Sequence, residues 1–321
     1  MLYNVKAGIL GLNPLGAHYA SLIMDHVKNL NLIAAAGNTQ KELLFAKNDL
    51  SLEYVYGDEK SLFDNHDIDA VFVFSEPRFR ANHIIQAIDK GKHVFMLNPF
   101  ALNMEDAEAV KQTAESHPSQ VVMCASPVRS MQFLDRLIEI NASGQLGGLQ
   151  LIELEDNFIK SLAKHLNLPS GSAYLDTLTD EIQLCLNLDD RHADAIDIVK
   201  YKGFKKVQLK LQGKTMWNII KRPPEDNLKA GLSIFYEKGK IEVSSDNQRQ
   251  IRISRTDGGV ELLNLDDAFE FNFPEYQQLH YFTQVILGKA KKDFTVAQSI
   301  QSMNLALAME KADVLNTSVD L

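Results

Sequence analysis

The sequence has little of what staples, bridges or anchors a chain. Its 321 residues include two cysteines, Cys124 and Cys185, and a single tryptophan. Both cysteines sit in apolar surroundings, without a Cys-x-x-Cys spacing or a matching histidine pair, so neither a disulfide framework nor a zinc site is expected. They read as buried thiols. No apolar run approaches the length that crosses a bilayer. The chain opens on a short strand-like run with no basic segment and no cleavage site, so the expectation is a cytoplasmic protein without a membrane partner. Basic residues are the minority, 33 Lys and Arg against 42 Asp and Glu, for a formal net charge of −9. A nucleic-acid surface needs a clustered excess of cations, so nucleic acid is not expected as a partner. No two histidines have metal-ligand spacing, and no metal is expected. Ser172 has no nucleophile-elbow context, which argues against acyl transfer. Internal repeats and low-complexity segments are absent as well.

What is present is ordinary globular material, 45% hydrophobic and 23% charged, in a chain long enough for two cores. In the first part, apolar strand-like runs (residues 3–10, 30–36, 54–55, 68–74, 93–96 and 121–124) alternate with helical spacing (14–28, 80–90 and 104–116). The run from Ile68 to Phe74 is continuously apolar, as in strands buried on both faces. This alternation predicts an α/β protein with a Rossmann-type, doubly wound parallel sheet over residues 1–124. The remainder, 125–321, changes character. A helix over 131–140 and a strand over 149–155 lead into mostly strand-like sequence from Lys205 to Leu265. There Val207, Leu209 and Leu211 alternate with polar residues and Asp257-Gly258-Gly259 signals a hairpin. Two helices, 275–287 and 296–315, close what is expected to be an α+β domain with a large, mostly antiparallel sheet. The lysines between Lys200 and Lys214 read as its solvated face.

In a doubly wound sheet, ligands bind beyond the carboxyl ends of the strands, so the loops after Leu10, Ala36, Phe74 and Met96 are where function is sought. The first loop, Gly11-Leu12-Asn13-Pro14-Leu15-Gly16, is a dinucleotide fingerprint with Asn13 in place of the middle glycine. Asn13 suits the helix N-cap, and Pro14 the first helical position. Asn13 brings a side chain where bare backbone meets a pyrophosphate, and Pro14 removes an N–H donor. The alternative is a plain strand-turn-helix connection. At the second loop, Gly37-Asn38-Thr39 offers neither an acid for the ribose nor an arginine for a 2′-phosphate, leaving NAD and NADP both open.

Ile68-Asp69-Ala70-Val71 with Pro77, then Gly91-Lys92-His93-Val94-Phe95-Met96-Leu97-Asn98-Pro99, resembles the glucose-fructose oxidoreductase, inositol dehydrogenase and MocA-like family. Arg129, the turn ending at Gly147, Phe282 and Gly288 extend the likeness over nearly the whole chain. The resemblance implies an NAD(P)-dependent oxidoreductase acting on a sugar, polyol or related hydroxy compound. It also implies a homodimer or higher homo-oligomer joined through the second-domain sheet. On this reading the cofactor residues are Gly11, Asn13, Pro14, Leu15, Asn38, Ser75, Pro77, Asn98 and Pro99.

The departures fall where chemistry is expected. The family's Glu-Lys-Pro is here Leu97-Asn98-Pro99, and an amide cannot transfer a proton near neutral pH. The family's Asp-x-x-x-His keeps Asp176 and has Asp180 in place of the histidine. These two carboxylates share one helix face, either as a pair in the crevice or as solvated charges. His165, near Lys160 and Lys164, is a further acid–base candidate and otherwise a surface residue. The candidate catalytic residues are therefore Asp180, Asp176, Asn98 and His165. The alternative function is a non-catalytic dinucleotide or sugar sensor, or an interaction protein, that keeps the fold.

Overall fold

The structure, a computed structural model, describes residues 4–126, 128, 132–155, 158, 174–222, 231–265, 274–292 and 296–321. The chain forms two compact units, Met1–Pro127 with Phe271–Met303, and Val128–Glu270 with Asn304–Leu321.

The first unit is built in chain order from β1 (Val5–Leu10), α1 (Pro14–His26), β2 (Leu30–Ala36), α2 (Gln40–Leu44), β3 (Tyr54–Tyr56), α3 (Glu59–Asp64), β4 (Ala70–Val73), α4 (Pro77–Asp89), β5 (His93–Leu97), α5 (Met104–Ser116) and β6 (Val122–Ala125). The strands are all parallel and lie in the order β3-β2-β1-β4-β5-β6. The direction of winding reverses between β1 and β4, and that switch point is where a doubly wound sheet binds its ligand. All four residues of β4 are buried, as its unbroken apolar sequence requires. The short helices α2 and α3 are absent from the sequence expectation, because neither is long enough to show a period. Their starts are marked instead by caps, Thr39 and Asp58.

The second unit contains α6 (Gln132–Ser143), β7 (Leu149–Glu155), α7 (Tyr174–Leu188) and β8 (Ala193–Tyr201). Then follow β9 (Phe204–Leu211), β10 (Met216–Lys221), β11 (Gly231–Tyr236), β12 (Gly239–Ser244), β13 (Asn247–Arg255) and β14 (Val260–Asn264). With the two-residue β15 (Val319–Asp320) they make a nine-stranded sheet, β14-β13-β12-β11-β7-β10-β9-β8-β15. Every pairing is antiparallel except β7 with β10. Alternate residues, among them Ile152, Leu154, Leu209, Trp217 and Ile234, enter one core with Leu137 of α6 and Ile182 of α7. The expected hairpin joins β13 to β14, with Gly258 at φ +92° and Arg255 N–H donating to Gly259 O at 2.7 Å. Of the lysine run, Lys205 pairs with Asp313 at 2.6 Å and Lys210 with Asp197 at 2.5 Å.

The closing helices are α8 (Pro274–Ile286) and α9 (Val296–Leu315). Here the structure corrects the sequence expectation, which assigned both to the second domain. Helix α8 belongs to the first unit. Its Phe282 is fully buried, with ring centroids 5.7 Å from Phe72 of β4 and 5.4 Å from Phe95 of β5. An amphipathic pattern announces that a helix has a face to bury, not which core receives it. Helix α9 is divided between the two units at Met303 and Asn304.

Candidate functional site

The turn after β1 approaches the end of β4 so closely that two glycines are required. Gly11 has φ +91°, and a Cβ on it would lie 2.8 Å from the Phe74 carbonyl oxygen. A Cβ on Gly16 would stand 2.0 Å from the carbonyl oxygen of Gly11. Asn13, between them, needs no left-handed backbone; its φ is −59°. Its side chain ties the turn together. Oδ1 accepts from the N–H groups of Leu15 (3.1 Å) and Gly16 (3.0 Å), capping α1, while Nδ2 donates to Phe74 O at 2.8 Å. Pro14 follows as the first helical residue.

At the second loop the structure supplies an acid that the strand end lacks. Thr39 caps α2 in a capping box with Glu42. The Glu42 carboxylate accepts from Asn38 N–H (3.0 Å), Thr39 N–H (3.1 Å) and the Thr39 hydroxyl (3.0 Å), and it crosses to the first loop to accept from Leu12 N–H at 3.0 Å. The spacing Thr39-x-x-Glu42 signals the cap in the sequence. The bond to Leu12 has no local signal.

The third and fourth loops are joined by Arg80 of α4. Its guanidinium donates to Ser75 O at 3.0 and 3.2 Å and to Pro99 O at 2.5 Å. Buried Ser75 also pairs its hydroxyl with Nδ1 of His83 at 2.8 Å, and burial lowers the pKa of that imidazole, opposed by the charge of Glu59. Pro77 opens α4. Asn98 accepts from the Cys124 thiol at 3.1 Å through Oδ1, while its buried Nδ2 has no hydrogen-bond partner among the described residues. An orphaned amide donor is costly unless something outside the protein accepts from it. The structure thus places Gly11, Asn13, Pro14, Leu15, Asn38, Ser75, Pro77, Asn98 and Pro99 on four loops, and on the first turns of α1 and α4 that two of them lead into, at one end of one sheet. Lys92 and His93 of the Gly-Lys-His-Val run are structural. Lys92 Nζ donates to Asn65 O (2.7 Å) and Ile68 O (2.9 Å), and His93 Nδ1 accepts from Val121 N–H at 2.8 Å.

The second unit carries the acids. His165 and Arg129, with Lys160, Lys164 and the Gly171-Ser172-Ala173 turn, lie outside the described residues, as does the side chain of Asp176. Asp180 is half-buried on α7. Its neighbour Glu181, which nothing in the sequence singles out, is fully buried, and among the described residues neither carboxylate oxygen has a hydrogen-bond partner. Burial raises its pKa to about 7, against the pull of Lys221 and with a further push from Asp180. In the first unit, burial likewise raises Glu275 of α8 to about 7. An acid whose folded pKa is raised makes the fold less stable as pH climbs from its ordinary value of 4.5 through about 7, because the unfolded chain releases the proton first. Urea unfolding at pH 5 and pH 8 should therefore show lower stability at pH 8. Glu181→Gln should shrink that difference by roughly 2 kcal/mol and leave the part due to Glu275. A difference unchanged by the substitution would contradict a raised Glu181 pKa.

Does a dinucleotide fit the four loops? In space it does, since Gly11 and Gly16 bring strand, turn and helix N-terminus together as a pyrophosphate site requires. The donors are another matter. Leu12, Leu15 and Gly16 already give their N–H groups to Glu42 and Asn13, and Pro14 has none to give.

Residues 5–125 match the family model described as "Oxidoreductase family, NAD-binding Rossmann fold". The inositol 2-dehydrogenase/D-chiro-inositol 3-dehydrogenase of Lacticaseibacillus casei is 24% identical over 189 residues, 59% of this chain and 52% of that protein. Over residues 5–125 the chain is thus similar to the Gfo/Idh/MocA oxidoreductases. The match spans only about half of that relative's own length. In solved structures the likeness of fold extends over the whole chain. The apo scyllo-inositol dehydrogenase from Lactobacillus casei superposes with a TM-score of 0.81 at 22% identity, covering 100% of this chain and 99% of that one. The same enzyme with bound NAD(H) and scyllo-inositol gives a TM-score of 0.80 at 22% identity, covering 99% of each chain. Like those structures, this one has a Rossmann-type parallel sheet and a large, mostly antiparallel one. Among the described residues, no helix is long and apolar enough to cross a membrane.

Proposed function

We propose that this protein is an NAD-dependent dehydrogenase of a polyol, sugar or related hydroxy compound. The observation that carries the reading is the Gly11–Gly16 turn at the switch point of a Gfo/Idh/MocA Rossmann sheet. The names of its inositol dehydrogenase relatives support the substrate class. Gly11, Asn13, Pro14 and Leu15 would hold the pyrophosphate, Asn38 the adenosine ribose, and Ser75, Pro77, Asn98 and Pro99 the nicotinamide end. The Glu42 charge beside Asn38 disfavours a 2′-phosphate, which selects NAD over NADP. A nicotinamide held there would supply the hydride acceptor. The chain's own task is to hold the hydroxyl and take its proton. The unpartnered Asn98 Nδ2 is a donor for substrate or carboxamide oxygen, and Asp180, with Asp176 or His165, is the proton acceptor in place of the family's histidine. We place the enzyme in the cytoplasm as a homodimer or larger homo-oligomer, joined through the second-domain sheet.

Asn98 in the lysine position, together with a turn whose Leu12, Leu15 and Gly16 amides are already engaged, favours a second reading, a sensor that binds without turnover. Both readings meet in one experiment. The purified full chain is screened with NAD and NADP against inositols, sugars and other hydroxy compounds, following reduced nicotinamide by absorbance, with calorimetry alongside. NAD-linked turnover is expected. Binding without turnover would establish the sensor, and absence of both from a folded protein would overturn each reading.

A further inference from the structure

The Glu42 carboxylate offers about four acceptor sites, and the chain itself supplies four donors: Leu12 N–H, Asn38 N–H, Thr39 N–H and the Thr39 hydroxyl. Three of them converge on Oε2 and Leu12 takes one site of Oε1, so at most one acceptor site, on Oε1, is left for a ribose diol. The carboxylate is also seated by design of the backbone around it. Gly37 leaves the room it occupies, since a Cβ there would lie 2.8 Å from Glu42 Cβ and 3.2 Å from its Oε2. At the same turn, the Asn13 side-chain oxygen takes the Leu15 and Gly16 amides, which open the helix that would face a phosphate. Three backbone donors of the fingerprint are thus held by oxygens of the protein, and one of those oxygens belongs to an anion.

We propose that Glu42, backed by Asn13, is an internal counter-ligand of the dinucleotide turn. It occupies amides that a pyrophosphate competes for, and it sets how tightly, and which, dinucleotide binds. This rests on the reading of the protein as a dinucleotide binder and deepens it. The carboxylate acts in two ways. It holds the Leu12 amide, so a ligand anion must displace it. It also places a negative charge between the first two loops, where it repels the pyrophosphate and repels an added 2′-phosphate more. An acid that instead received the ribose hydroxyls would have the opposite effect, since removing it would weaken binding. The sign of the change therefore separates the two roles.

The test is calorimetric titration of the full-length protein, its Glu42→Gln variant and its Asn13→Gly variant with NADH and with NADPH. Glutamine keeps the capping-box residue type and the size of the side chain. It removes the charge and turns one of the two acceptors into a donor, so either Leu12 or the Asn38–Thr39 amides are released. Glu42→Gln is expected to bind NADH about tenfold more tightly, with a larger gain for NADPH. Asn13→Gly, which frees the Leu15 and Gly16 amides at little cost to the helix cap, is expected to move in the same direction. Melting curves check that each variant is folded. Wild-type protein that binds NADH, with a folded Glu42→Gln variant that binds it no better or more weakly, overturns the proposal and leaves the dinucleotide reading intact. Failure of all three proteins to bind either nucleotide overturns both.

Discussion

Gly16→Ala is expected to destabilise the protein by about 3 kcal/mol or more and to abolish dinucleotide binding. The added methyl would sit 2.0 Å from the Gly11 carbonyl oxygen, which is backbone and cannot swing aside as a side chain would. Gly11 itself is pinned, because its N–H donates to Ala36 O at 2.9 Å and its own Cα faces the Phe74 carbonyl. Relief must come from moving the start of α1 away from β1. That motion breaks the Asn13 bonds to Leu15, Gly16 and Phe74 together. In most helices Gly→Ala stabilises, so the sign alone is diagnostic. Chemical denaturation measures the loss, and titration with NADH measures the binding. A variant as stable as the parent would mean that helix and strand are not in such close contact.

Phe282→Ala is expected to cost about 3–5 kcal/mol, with the damage appearing in the N-terminal sheet, far from α8 in sequence. The ring is fully buried against Phe72 and Phe95, edge-on to both, with interplanar angles of 75° and 69°. Hydrogen exchange should show β4 and β5 amides losing protection. Phe282→Leu should restore part of it by refilling the space. Protection lost only in the nine-stranded sheet would assign α8 to the other core.

The two substitutions mark what the sequence reveals and what it hides. Asn13 and Pro14 announce the start of α1 because a cap is a local arrangement, complete within a few residues. The alternation of apolar strands with helices announces the parallel sheet, and the Val207-to-Leu211 alternation the half-wet one, because period encodes face. Glu42 is the contrary case. Its capping box is legible, but its bond to Leu12 spans thirty positions of sequence and exists only once β1 and β2 are paired. Phe282 is the same problem at larger scale, since its periodicity is satisfied by either core. Glu181 was hidden for another reason. Beside Asp176 and Asp180 it reads as one more helix-surface acid, and only the packing of α7 against the sheet turns it inward.

That α8 completes the first unit also has a consequence in time. Ribosomes extend a chain at roughly 5–20 residues per second, and all of 128–270 must be made before the residues that cover Phe72 and Phe95 emerge. The nascent Rossmann sheet therefore waits on the order of ten seconds with an aromatic patch uncovered. During that interval its protection depends on chaperones or on rapid folding of the second unit, and a fragment ending at residue 127 would keep the patch open permanently.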